Sequence, residues 1–364
     1  MLGTRETGNE TYIRGLLVGL AGLDDGPEVV AYVGPDHKVS VGASLGVTPS
    51  RRVRLAKLRA PGPFGRLGVE LAIRARRDHL DVLHSTYVAP LGTRTPSVLT
   101  IHDTTYLRHP EWLSPRDVRV LRVGVARSIR RAAQVVVPTE AVRRDVIDAY
   151  GYDADRVHAI LHGPGATAQK LSIEEARRVL TRAGADASPP YLLAVGGATP
   201  RKNLVALVEA FGRLRDFRGG LVLAGAATGA QAEAVAQAAR RLAGRVVITP
   251  HLDDRIVAGL YQQARAVALP SLDEGFGLTA LEAMWHGVPV AASDVPALRE
   301  VCDGAARHFD PTDPEALTAA LEAVLLDDDQ RARMVAAGTV RAAVLTWARS
   351  AARHVEVYAR AAAS

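Results

Sequence analysis

Two glutamates, Glu274 and Glu282, stand eight residues apart in the run LPSLDEGFGLTALEAMWHGVPV, residues 269–290. An apolar strand closes at Val267 to Pro270. Gly275 and Gly277 allow a tight turn, and Leu278 to Trp285 has the composition of a helix stopped by Gly287 and Pro289. Glu274 is therefore expected in the loop at the carboxyl end of a strand, and Glu282 about one turn inside the following helix. At a rise of roughly 1.5 Å per residue the pair can hold opposite ends of one extended ligand. The helix N-terminus between them, with its amides and positive dipole end, favours an anion. A ligand with hydroxyls at both ends and phosphates in the middle fits, and a nucleotide-sugar is one. Two glutamates at this spacing are common on solvated helices. What gives these weight is the preceding strand, the glycines and a second motif.

That motif is GGATPRKNLVALVEAF, residues 196–211, directly after the apolar strand Tyr191 to Val195. Gly197 lies in its turn, and Arg201 and Lys202 follow as two fixed cations. Such a pair can stabilise the charge that a departing nucleoside diphosphate gains as a glycosidic bond breaks. A third group, His102, with Asp103 beside it, ends the apolar strand Ser97 to Ile101, and in open α/β sheets ligands bind at the carboxyl ends of strands. His84 occupies a comparable place after a shorter strand and reads as structural. Asp153-Ala-Asp155 matches a metal-binding D-x-D pattern, but it lies between a helix end and a strand, where a turn-and-cap role is expected.

The 269–290 run closely resembles the E-x7-E signature of the family 4 glycosyltransferases, retaining enzymes of GT-B fold, and the 196–211 run resembles their phosphate-binding segment. The resemblance covers nearly the whole chain and is strongest from Tyr191 onward. It implies that Glu274 binds hydroxyls of the transferred sugar and Glu282 the ribose. It places the amides of Phe276, Gly277 and Leu278, with Gly275, near the diphosphate, and His102 beside the sugar. It also implies a nucleoside diphosphate sugar as donor, a glycan or lipid-linked acceptor, and neither cofactor nor required metal. GGATPRKNL is similar to the segment of members that build cell-envelope polysaccharides, many of which use GDP-mannose, so mannose is the favoured sugar. Two positions depart from the commonest pattern: Thr279 stands where a proline is frequent, and Trp285 where a small residue is usual. GT-B chains begin with a strand and a glycine loop, here placed at Gly8. This chain begins instead with a polar segment and an amphipathic helix, Tyr12 to Leu23, so the first strand of the N-terminal sheet is expected to be missing, with Met1 a misassigned start.

Composition narrows the alternatives. With 364 residues, 48% hydrophobic and 23% charged, the chain has room for two globular domains. A single cysteine, Cys302, excludes an internal disulfide and a cysteine-cluster metal site, and a reducing cytoplasm is the expected home. No stretch approaches 18 uninterrupted apolar residues, so neither a transmembrane helix nor a secretion signal is expected. The net charge of +6 favours acidic partners. Base-stacking aromatics alternating with basic residues are absent, which argues against single-stranded nucleic acid. GGATPR lacks the G-x-G-x-x-G spacing of a dinucleotide dehydrogenase. A nucleotide-sugar epimerase on the same fold and a non-catalytic nucleotide-sugar-binding protein remain the alternatives.

The elements that must position these residues alternate strand and helix, which implies parallel, doubly wound sheets in two Rossmann-like domains facing a cleft. The expected division is an acceptor-side domain over 1–165, a linker over 166–189 that includes a short helix at Ser172 to Ala183, a nucleotide-sugar domain over 190–345, and a helix over 346–364 that crosses back to the first domain. Ser114 to Ala132 reads as a helix with Val118, Leu121, Val125, Ile129 and Ala132 on one face. Arg116, Arg119, Arg127, Arg130 and Arg131 lie on the other, with Val120 and Val123 among them. That face is a candidate contact for anionic membrane.

Overall fold

Apolar runs buried on both faces are what a parallel sheet requires, and they dictate the architecture. The computed structural model describes residues 7–34, 52–60, 62, 64–172, 174, 175, 178, 190–242 and 244–364; the helix expected at Ser172 to Ala183 falls largely outside them. The chain divides into two compact units, residues 1–163 with 346–364, and residues 164–345.

In the second unit the strands are β7 (Tyr191–Val195), β8 (Gly220–Ala224), β9 (Val246–Ile248), β10 (Ala266–Leu269), β11 (Val290–Ser293) and β12 (Ala306–Phe309). They form one parallel sheet in the order β12-β11-β10-β7-β8-β9. The helices are α5 (Leu204–Arg213), α6 (Ala232–Arg240), α7 (Asp254–Gln263), α8 (Leu278–Trp285), α9 (Pro296–Cys302), α10 (Pro314–Leu326) and α11 (Asp328–Val344). Leu192, Leu221, Leu223 and Ala268 from the sheet pack with Leu207 and Phe211 of α5 and Leu317, Leu321 and Val324 of α10. Each large side chain so buried contributes roughly 1.5–3 kcal/mol. Counted outward from β7, the strand order is that of a doubly wound nucleotide-binding sheet. Its direction reverses between β7 and β10, which opens a crevice at their carboxyl ends.

The first unit holds α1 (Thr7–Ala21), β1 (Val29–Val33), β2 (Val53–Lys57), α2 (Leu71–Arg77), β3 (Leu83–Thr86), β4 (Ser97–Thr100), α3 (Pro115–Ile129), β5 (Gln134–Val137), α4 (Glu140–Tyr150), β6 (Val157–Ala159) and α12 (Trp347–Ala362). Its strands are all parallel but form two sheets, β1-β2 and β3-β4-β5-β6. Among the described residues no strand joins them, and the first described element is α1. Here the sequence expectation needs correcting. Gly8, assigned to a glycine loop, lies in the first turn of α1, and a Cβ built on it meets nothing within 4 Å.

Helix α1 fills the space beside both sheets. Leu17 packs on Ala31, Val33 and Val53. Tyr12, Leu16 and Leu20 pack against Trp347 and Ala351 of α12. Gly15 and Gly19 let α1 and α12 approach closely, since a Cβ at either would collide with Trp347. Asp153 accepts from the Asp155 amide and caps a turn over Ala154–Arg156, the role its sequence context suggests. Among the described residues no helix is long and apolar enough to cross a membrane.

Candidate donor site

The reversal point places the motifs together. The loop after β7 carries Gly196, Gly197 and a single 3-10 turn, Pro200–Lys202, which Asn203 ends in the left-handed region at φ 51°. The loop after β10 carries Ser271 to Gly277. One main-chain hydrogen bond ties the two loops, from the Leu272 amide to the Arg201 carbonyl at 2.9 Å. Gly277 starts α8 at φ 100°, and a side chain there would run into Leu298. Only glycine adopts this conformation without strain, so the turn between Glu274 and α8 depends on it.

Three donors hold Glu274. Arg201 Nη1 donates to its Oε2 at 2.5 Å, Lys202 Nζ to its Oε1 at 2.7 Å, and Ser271 Oγ to Oε1 at 2.9 Å. Arg201 also reaches the Asp273 carbonyl at 3.3 Å. The glutamate side chain is 6% exposed. Burial alone would raise its pKa, but Arg201, Lys202 and the hydrogen bonds outweigh burial and hold the carboxyl at about 2. Burial also lowers the pKa of Lys202, against the pull of Glu274. The arrangement is a fixed anion between two cations, with a net charge of +1 facing the crevice.

Glu282 is the opposite case. It sits inside α8, 8% exposed, and burial pushes its pKa up to about 7, although Thr167, Tyr261 and the Gly165 backbone pull it down. Tyr261 Oη of α7 donates to its Oε2 at 3.0 Å, and the tyrosine ring stacks on His286, 5.5 Å between centroids. Phe276 is buried at 6% exposure and Leu278 opens the helix. Gly197 accepts from the Thr199 amide within its turn. Its neighbour Gly196 runs at φ 134°, where a Cβ would press on the Lys202 stem.

The sequence reading did not find Ser271, Tyr261 or Thr167. Nothing marks Ser271 beyond its place three residues before Glu274, and Tyr261 has the periodicity of a core residue. The Trp285 substitution now has a structural meaning: its indole Nε1 donates to the Ala168 carbonyl at 2.7 Å.

In the first unit, His102 follows β4, with its ring 4.7 Å from that of Tyr12 and 5.7 Å from that of Tyr87. Its Nε2 is buried and has no hydrogen-bond partner among the described residues. Burial lowers its pKa to about 3, so the ring is neutral at physiological pH. His84 is locked in place, bonded to the Tyr358 hydroxyl at 2.8 Å and to Thr100 Oγ1 at 2.6 Å.

Comparison with known proteins bears on the family and the fold. The profile described as Glycosyltransferase Family 4 matches residues 7–163, and that described as Glycosyl transferases group 1 matches residues 177–341. A D-inositol 3-phosphate glycosyltransferase of Xylanimonas cellulosilytica is 31% identical over 303 residues, covering 77% of this chain and 72% of the relative. The O-antigen chain mannosyltransferase B of Escherichia coli is 30% identical over 267 residues, covering 72% and 70%. Among solved structures, sucrose-phosphate synthase of Thermosynechococcus elongatus superposes with a TM-score of 0.73 at 20% identity over 98% of this chain and 94% of the other. Anabaena Alr3699/HepE in complex with UDP-glucose superposes with a TM-score of 0.73 at 18% identity, covering 99% and 98%. The fold and the family matches thus define a glycosyltransferase of GT-B architecture that uses a sugar-nucleotide donor. The chain belongs to the family 4 glycosyltransferases.

Proposed function

We propose that this protein transfers a hexose from a nucleoside diphosphate sugar to a glycan or lipid-linked acceptor, with retention at the anomeric carbon and without a required metal. GDP-mannose is the favoured donor. The observation that carries the reading is the Arg201, Lys202, Ser271 and Glu274 cluster at the point where the strand order reverses. As the glycosidic bond breaks, the diphosphate gains charge, and Arg201 and Lys202 are fixed cations that stabilise it. A metal is not needed for that step if these two supply the charge.

Glu274 has the wrong properties for a nucleophile or general base. A carboxyl held at about 2 by three donors is weakly basic and already engaged. Its role is to accept hydroxyls of the sugar and to oppose the positive charge of an oxocarbenium-like transition state, with the leaving phosphate taking the acceptor proton. Phe276, Gly277 and Leu278 face the diphosphate at the start of α8, and Glu282 takes the ribose. His102 is assigned to the sugar. The likeness to an O-antigen mannosyltransferase supports mannose and polysaccharide synthesis; the UDP-glucose seen in Alr3699/HepE makes glucose the competing donor.

Thermal unfolding in the presence of GDP-mannose, UDP-glucose, GDP and UDP tests the reading. A ligand at 100 times its Kd stabilises the native state by about 2.7 kcal/mol. One donor and its free diphosphate should each raise the midpoint by several degrees. No shift with any of the four would remove the donor-site assignment.

The acceptor assignment carries a second expectation. Arg116, Arg119 and Arg127 of α3, with Arg130 and Arg131 in the turn that ends it, accompany Val120 and Val123, which are 58% and 64% exposed. None of these arginines forms an ion pair with a described residue. Val125 and Ile129 are buried on the opposite side, so the helix is anchored by one face and free on the other. Each arginine at an anionic surface contributes about 1 kcal/mol, an attraction that salt screens. We therefore place the enzyme at the inner face of a membrane as a cytoplasmic, peripheral protein. Vesicles rich in phosphatidylglycerol should sediment it in low salt and release it in high salt. Val120→Glu with Val123→Glu should abolish sedimentation, and binding that ignores lipid charge would count against the assignment.

A further inference from the structure

Glu282 is a carboxylate buried without a bonded cation. The two cations of the crevice, Arg201 and Lys202, bond to Glu274, and among the described residues none forms an ion pair with Glu282. What meets it from α7 is a tyrosine. Tyr261 Oη donates to Glu282 Oε2 at 3.0 Å, between two side chains that stand on separate helices. Tyr261 is one of the buried residues of α7, with Val257, Ala258 and Leu260, and its ring stacks on His286. A phenylalanine would fill the same space. The hydroxyl is the part that packing does not explain, and its bond to Glu282 is where it goes.

We propose that Tyr261 is a positioning residue of the donor site, whose hydroxyl fixes the Glu282 carboxylate and favours its charged, hydrogen-bond-accepting form for the ribose. The proposal rests on the donor-site reading above and adds a residue from outside both sequence motifs. An ionised carboxylate accepts on both oxygens, so a bond from Tyr261 to Oε2 leaves capacity for ribose hydroxyls. Burial, with the nearby carboxylate, holds the tyrosine pKa well above its ordinary value, so the phenol keeps its proton and always donates. Because both partners stand on helices, the carboxylate is oriented before the ligand arrives, and little ordering accompanies binding.

The groups around Glu282 decide the pH at which this bond matters. Burial, with Asp254 at the start of α7 adding to it, pushes the carboxyl up to about 7, against the pull of Thr167, Tyr261 and the Gly165 backbone. Lys202, in the loop after β7, is a cation within electrostatic reach. His286, at the end of α8, is shifted down by burial and is neutral above its ordinary 6.5. α11 approaches α8 with Val335 at Gly287 and Gly338 at Met284, which carry no charge. A hydrogen bond to the charged form of a carboxyl lowers its pKa, so removing the Tyr261 hydroxyl raises that of Glu282. Near neutral pH the carboxyl would then hold a proton that the ribose must displace, whereas at higher pH it is ionised with or without the tyrosine.

Calorimetric titration of the full chain with UDP-glucose and GDP-mannose, at pH 6.5 and pH 8.5, tests this. In these diesters no phosphate titrates in that range, unlike the free diphosphates. Tyr261→Phe keeps the ring and removes the hydroxyl. With the Glu282 pKa raised by about one unit, the variant should bind the donor about eightfold more weakly than the parent at pH 6.5 and within about twofold of it at pH 8.5. In a Glu282→Gln background nothing titrates at that position, so the same substitution should open no pH-dependent gap. A gap of equal size at both pH values would mean that Tyr261 only supports the fold, and no gap would mean that its hydroxyl does not act on Glu282. Either overturns the proposal while leaving the donor site standing, as does a pH-dependent gap that survives in Glu282→Gln. If the parent binds neither donor, the donor-site reading falls and the proposal with it. Should the phenylalanine variant fail to fold, 3-fluorotyrosine placed at position 261 decides, because it keeps the ring and hydroxyl and makes the hydroxyl a stronger donor. Tighter binding at pH 6.5 with no change at pH 8.5 is the expected result, and unchanged or weaker binding at pH 6.5 contradicts the proposal.

Discussion

Glu274→Gln should cut turnover by about three orders of magnitude while leaving nucleoside diphosphate binding intact or tighter. The substitution keeps the shape of the side chain and removes its charge. Arg201 and Lys202, which both donate to Glu274, would lose that carboxylate. Their attraction for a diphosphate would then rise, since the carboxylate of Glu274 no longer competes for it. The sugar and the developing positive charge at the anomeric carbon would lose their acceptor. The expected signature is therefore a split, with kcat falling steeply and the Kd for the free diphosphate equal or lower. Steady-state transfer assays and calorimetry measure the two sides. Turnover within tenfold of the parent would refute the role given to Glu274, and a loss of diphosphate affinity would mean that the carboxylate organises the cations rather than competing for them.

Why the second unit was so readable from sequence follows from its physics. Parallel strands buried on both faces must be continuous apolar runs, so Tyr191–Val195 and Ala266–Leu269 stand out without knowledge of their partners. Loops at a reversal point must be glycine-rich and polar, so Arg201, Lys202 and Glu274 are exposed by their neighbours in the chain. What spacing cannot give is the pairing of groups 73 residues apart, and the Arg201 to Glu274 bond is of that kind. Thr167 lies in a glycine- and proline-bearing stretch with no periodicity to raise it above its surroundings. The strand Ala306–Phe309 and the helices α9 and α11 also went unread. α9 has only seven residues, and α11 buries Met334, Gly338 and Ala342, a stripe too small and too sparse to register as apolar. Gly8 was misread for a related reason. Glycine signals a turn on average, but here it sits at a helix start, and the apolar spacing begins only at Tyr12.

Acidification should loosen the first unit well before the second. At its centre one hydrogen-bonded chain is fixed in direction by a single carbonyl. His354 Nδ1 must donate to the Ser350 carbonyl at 2.7 Å, so its Nε2 accepts from the Tyr12 hydroxyl at 2.8 Å. Tyr12 then accepts from Thr100 at 2.9 Å, Thr100 accepts from His84 Nε2 at 2.6 Å, and His84 Nδ1 accepts from Tyr358 at 2.8 Å. Every histidine in it must be neutral. Burial depresses the pKa of His354 to about 4 and that of His102 to about 3, and it holds His84 and His162 well below the usual range. The folded values lie below the unfolded value of about 6.5, so the stability these groups contribute is complete above that pH and is lost as pH falls toward the folded values. For His354 and His102 alone the loss at pH 5 is about 4 kcal/mol, or on the order of 10 °C in midpoint. In the second unit Glu282 works in the opposite sense. Its folded pKa of about 7 exceeds the ordinary 4.5, so the native form keeps a proton that the unfolded chain releases, and lowering the pH from 7 to 5 favours the fold. Glu274, held at about 2, withdraws its support only below about 4.5, and His286 and His308, both shifted down by burial, partly offset Glu282. Hydrogen exchange compared at pH 7.5 and pH 5, corrected for intrinsic rates, should show β4 and β5 losing protection while β7, β8 and β10 keep theirs. Equal losses in the two units, or none in either, would mean that the histidine chain is not what sets the acid limit of the fold.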